Sequence, residues 1–80
     1  MKLSDPDAVQ FWQEQLADRL RRGSAQEIKS ELRQGLYHVI ASFPLSDGKI
    51  QWESWAKYSR PERAEHAVRM VKRLAVTASN

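Results

Sequence analysis

An 80-residue chain with 41% hydrophobic and 29% charged content reads as one small globular domain, 1–80, too apolar to be disordered and too short to spare large apolar side chains from its core. The formal charge of +3 and pI of 9.6 admit an acidic partner, while the absence of cysteine excludes a disulfide framework and a thiolate metal site and fits a reducing compartment. No apolar run approaches the ~20 residues of a membrane span, and the start MKLSDPDAV lacks the apolar stretch of a signal peptide, so a soluble cytoplasmic protein with no membrane partner is expected.

The first predicted helix covers about 5–22. Asp5 is placed to cap it and Pro6 stands at its first position, where a missing N–H is no loss. Val9, Trp12, Leu16 and Leu20 share one side at about 100° per residue, and Gly23 ends the run. Phe11 lies off that stripe, either as a partner contact or as a cover for the loop or for Leu3.

A second helix is predicted over 24–42. Ser24 and Glu27 have capping-box spacing, and Ile28, Leu32, Leu36, Val39 and Ile40 continue an apolar face until Pro44. Gly35 falls in the middle of that face, where it would let a neighbouring helix approach closely. Alternatively Gly35 ends a short helix, LYHVIASF is a strand, and KIQWES is a second strand with clean alternation.

The stretch SDGKIQWESWAKY resembles the second half of an EF-hand calcium loop running into its exit helix. The resemblance stops at the ligands. Counting back from Gly48 puts Phe43 and Leu45 at the first and third ligand positions and Ser54 at the last, leaving Asp47 alone, so no calcium site is expected. What the resemblance implies is geometric: a turn with Gly48 at positive φ, then a short helix over 50–58 with Ile50, Trp52 and Trp55 leaning inward. The final helix, 60–76, starts with Ser59, Pro61 and Glu62 and carries an apolar stripe of Ala64, Ala67, Val68, Val71, Leu74 and Ala75.

The expected fold is therefore an all-α bundle of three long helices and one short one. The alternative is α+β, with two helices, a β-hairpin over 36–54 and a C-terminal helix. His38 and His66 stand in different segments without a nucleophile or ligand grouping, and no glycine-rich phosphate loop occurs, so neither an enzyme nor a cofactor or metal is expected.

Two binding functions are consistent with these residues. The first is a regulator, adaptor or inhibitor that binds another protein through Trp55, Tyr58, Arg60, Arg63 and Phe11, because Trp, Tyr and Arg dominate interface hot spots. The second is a nucleic-acid-binding accessory or transcriptional regulator using the basic last helix, with Arg21, Arg22, Arg69, Lys72 and Arg73 on phosphates. Acids precede bases in both long outer helices, as the helix macrodipole favours by ~0.3–1 kcal/mol per charge, which gives much of the basic clustering a structural reason. A homodimer covering apolar surface is a third way to complete so small a domain.

Overall fold

The structure, a computed structural model, describes residues 6–77, with side chains from Phe11 to Val76. The chain runs α1 (Pro6–Arg22), β1 (Glu27–Arg33), β2 (Leu36–Pro44), β3 (Ile50–Tyr58) and α2 (Pro61–Thr77). The strands form one antiparallel meander in the order β1-β2-β3. The all-α bundle is thus corrected to an α+β fold of two helices and a three-stranded sheet. The proposed Asp5 cap and Leu3 contact lie outside the described residues.

The expected helix over 24–42 is two strands joined by the turn Gln34-Gly35. Both turn residues have positive φ, 51° and 81°, the conformation of a type I′ turn, whose twist matches that of paired strands. Gly35 therefore reverses the chain and does not seat a neighbouring helix. The capping box is not formed either. The Ser24 hydroxyl donates to the Arg19 carbonyl at 3.3 Å, and the Ala25 N–H reaches the same carbonyl at 3.0 Å, so Ser24 closes α1 instead of opening a helix. The Glu27 N–H donates to Ser42 Oγ at 3.0 Å and the Gln26 N–H to the Ser42 carbonyl at 2.9 Å, which ties the start of β1 to β2.

The helix expected over 50–58 is β3. Gly48 has the positive φ expected of it, 86°, but it closes a β-hairpin. The Leu45 N–H donates to the Lys49 carbonyl at 2.8 Å, and Asp47 Oδ1 accepts from the Lys49 N–H at 3.0 Å. The alternative reading had the hairpin but stopped it at 54 and kept 24–35 helical; β1 was in neither reading. Between Val39 and Ile40 the register slips, Val39 facing Ala56 and Ile40 facing Ser54, so Trp55 is the extra residue of a bulge in β3.

Both helices cover the same face of the sheet and run parallel. Gln13 shares a cleft with Ala67 and Met70, and Arg21 donates to the Leu74 carbonyl at 3.4 Å further along. Between the layers lie Leu16 and Ala17 of α1, Ala64, Ala67, Val68 and Val71 of α2, and Ile28, Val39 and Ala41 of the sheet. The α2 stripe read from the sequence is the one buried. Full burial of each Leu or Val contributes about 1.5–3 kcal/mol, and the alanines let the helices approach each other and the strands closely.

The opposite face of the sheet carries no helix. Ile40 is nevertheless only 1% exposed, although it points away from the core. Across the strands it has Lys29 on one side and Ser54 on the other, and the Lys29 ammonium lies 4.7 Å from the Trp52 ring centroid. The lysine stem and the indole shield it. Trp52 and Ile50, expected to lean into the core, are on this outer face, with Ile50 more than half exposed.

The hairpin conformation at residues 34 and 35 predicts asymmetric mutational effects. Gly35→Ala is expected to destabilise by about 1 kcal/mol, lowering Tm by about 4–8 °C in thermal unfolding, whereas Gln34→Asn, the residue most at ease before Gly in this turn, should raise it.

Candidate functional site

The residues expected to form an aromatic-and-arginine surface are not brought together. Trp55, three positions from outward-facing Trp52, points to the core face, and the bulge brings Ala56 and Tyr58 to that face as well. Its ring stacks on Phe43 at a centroid distance of 6.2 Å, and the Arg19 guanidinium lies 5.8 Å from its centroid on α1. Its indole Nε1–H is buried without a hydrogen-bond partner among the described residues, a loss offset by the packing around it. Phe11 is 61% exposed on α1 and does not line the cleft that holds Tyr58.

Tyr58 and Arg63 do meet. They line a cleft of about 410 Å³ together with Gln13, Glu62, His66, Ala67 and Met70, where the end of β3 passes into α2 between the helices. Burial pushes the Tyr58 hydroxyl above its ordinary value of 10.0, against the opposing pull of the Arg63 charge. An acid whose folded pKa is raised favours folding only while protonated. The sign is therefore a loss of stability as pH climbs past 10, which alkaline titration of Tyr58 absorbance would follow.

Of the cations assigned to nucleic acid, Arg21 and Arg22 are committed elsewhere. Both contact Asp18, each at 3.0 Å, and Arg21 also holds Leu74, so the pair closes α1 and fastens it to α2. The same holds for the other described cations before Lys49. Arg19 lies on Trp55, Lys29 is 3.8 Å from Glu31 and packs on Trp52, and Arg33 donates to Glu31 at 2.6 Å. That last bond is the main reason the Glu31 carboxyl is held below its usual range.

From Lys49 onward the picture reverses. Seven of the thirteen basic residues but only three of the ten acidic ones lie from Lys49 to the end, a net +4 against −1 for the preceding part. Among the described residues Lys49, Lys57, Arg60, Arg63, Arg69 and Lys72 make no ion pair. The last turn of α2 contains no basic residue, so the macrodipole does not account for Arg69, Lys72 and Arg73. Lys57, Arg60 and Arg63 surround the start of α2. Arg69 and Lys72 line a groove with Ile28, Lys29 and Ser30 on the β1 side of the same helix.

The uncovered sheet face holds a row that sequence reasoning missed. His38 Nδ1 and Ser54 Oγ share a hydrogen bond of 2.8 Å, and Glu31 stands directly opposite His38 on β1. The only forewarning was the alternation of KIQWES, because the row exists only once the three strands are in register. The order acid, imidazole, hydroxyl is that of a nucleophilic triad, but it lies on an open face where water competes for every partner, so a structural cross-strand pair accounts for it. Among the described residues no group of three His, Cys, Asp or Glu side chains is placed to hold a metal, and no helix is long and apolar enough to cross a membrane.

No protein-family model, curated protein or solved structure matches the chain. The functional reading rests on the geometry. One consequence of that geometry concerns Trp55: because its N–H has no partner among the described residues, Trp55→Phe is expected to change stability by less than about 1 kcal/mol, whereas Trp55→Ala should cost about 3 kcal/mol in denaturant unfolding.

Proposed function

We propose that the chain is a small non-enzymatic domain that binds nucleic acid through the phosphate backbone. Lys57, Arg60 and Arg63 around the start of α2 are the principal contacts, with Arg69 and Lys72 further along the helix. The observation that supports this reading is the division of the cations: the described ones before Lys49 are paired or stacked within the fold, while six from Lys49 onward make no ion pair among the described residues. Unneutralised cations on one element repel each other, and a polyanion relieves that repulsion while releasing its own counterions. Long flexible side chains reaching phosphates hold the backbone without reading bases, so weak sequence dependence goes with this mode.

The test is the salt dependence of binding to fluorescent duplex DNA and duplex RNA. Four to five phosphate contacts give a log–log slope of about −4. Arg60→Ala with Arg63→Ala should flatten it by about 2, while Arg21→Ala with Arg22→Ala should leave it unchanged. No binding at ~50 mM salt, or equal loss in both pairs of variants, would sink the reading.

A protein partner is favoured by one feature, the Tyr58 cleft. It keeps Tyr58 and Arg63 of the expected surface and adds Met70 and His66, residue types suited to an anchor pocket. On this second reading a stoichiometric partner is lost on Tyr58→Ala and retained on Arg69→Ala with Lys72→Ala; the opposite pattern returns the assignment to the cations.

A further inference from the structure

We infer that a second copy of this chain docks on the free edge of β1, forming an antiparallel β1–β1 pair about a two-fold axis at Ser30 and joining the two sheets into one of six strands. This does not depend on the nucleic-acid reading. β1 reads Glu27-Ile28-Lys29-Ser30-Glu31-Leu32-Arg33, and its pattern is inverted when the strand is reversed. With Ser30 opposite Ser30 of the second copy, Glu27 meets Arg33, Ile28 meets Leu32 and Lys29 meets Glu31. Symmetry then repeats each of these pairs, as an isologous interface requires.

The backbone agrees with this register. The two-residue turn makes Arg33 and Leu36 a hydrogen-bonded closing pair, so the odd-numbered residues of β1 turn their ladder groups toward β2. Ile28, Ser30 and Leu32 therefore direct theirs to the free edge. An axis at Ser30 sets those three residues opposite one another, so each outward N–H finds an outward carbonyl. Registers centred on Lys29 or Glu31 would set that charge opposite its own copy.

The side chains on the covered face agree as well. Leu32 is 58% exposed on the same side of the sheet as buried Ile28. Placed opposite Ile28 of the second copy, it sits at the mouth of the groove that Ile28, Ser30, Val68 and Lys72 line. Glu65, Arg69 and Lys72 line the α2 flank of that groove.

Charges along an edge strand are also how a sheet avoids pairing. The two edges of this sheet differ in that respect. β3 carries the Trp55 bulge, which twists and interrupts its edge, whereas β1 pairs with β2 in unbroken register from Glu27 to Arg33. Glu27 makes no ion pair within its own chain among the described residues, and Arg33 and Glu31 are already bonded to each other. The second copy extends that pair into a network running across the axis.

A single strand pair with a helix flank is at the lower end of stable interfaces, so dissociation on the order of micromolar is expected, and sedimentation equilibrium of the full chain from about 5 to 500 μM covers it. Glu27→Lys alone and Arg33→Glu alone each set like charges opposite one another twice and should weaken the dimer at least about tenfold. An equimolar mixture of the two variants should dimerise again, because the introduced lysine of one then faces the introduced glutamate of the other. Circular dichroism confirms that each variant is folded. Should either fail to fold, slower hydrogen exchange of the Ile28, Ser30 and Leu32 amides in the unaltered chain at high concentration carries the test. A chain that stays monomeric throughout overturns the proposal. So does a dimer untouched by either variant, which uses another surface, and so does a mixture that fails to re-form.

Discussion

The contact on which the rest of this molecule depends is the layer of Leu16, Ala67, Val68 and Val71 against Val39 and Ala41. A domain this small can bury one apolar layer well, and here the two helices supply one side of it and the central strand the other. Because both helices lie on one face, the second face and the free edges of the two outer strands are left to water. Everything that distinguishes the surface follows from that one-sided arrangement. Trp52 and Lys29 form a cover on the face that carries no helix among the described residues, and grooves open between the helices and beside α2 along β1.

Ion pairing follows the same geometry. Asp18 at the end of α1 gathers Arg21 and Arg22, and Arg21 continues to the α2 backbone, so those cations stabilise the contact between the helices. Glu31 gathers Lys29 and Arg33 along β1. Such exposed pairs contribute little individually, about 0–1 kcal/mol, but they determine which charges remain available to a partner. What remains runs from Lys49 in the β2–β3 turn through β3 and its passage into α2 to Arg69 and Lys72 on that helix. The two halves of the chain thus differ in what their charges do, although both are rich in arginine.

The helices were legible because their signals are local. Trp12, Leu16 and Leu20 in α1, and the stripe from Ala64 to Ala75 in α2, sit at helical spacing and are packed on the core as that spacing implies. The strands were obscured for identifiable reasons. Ile28 and Leu32 are four residues apart, a spacing that suits a helix face, and Ser24 with Glu27 imitates a capping box. In β3 Trp52 and Trp55 are three apart, a separation that a strand places on opposite faces and a helix on one side, and the bulge at Trp55 then brings Ala56 and Tyr58 to the core face. The surface assigned to Trp55, Tyr58, Arg60, Arg63 and Phe11 dissolved for that reason, leaving Tyr58 and Arg63 together.

Sequence alone determined the turns at Gly23 and Gly48 and what the helices bury: both glycines take positive φ, a preference carried by the residue itself, and helical periodicity is complete within a few turns, whereas the turn at Gly35 was decided by the pairing of β1 with β2. Tertiary structure alone decided that 27–33, 36–44 and 50–58 are strands, because a strand is stabilised by partners far along the chain and not by its own neighbours. It also decided which cations are spent on internal pairs and which are left over, since an arginine's partner depends on register and helix packing that no local window contains.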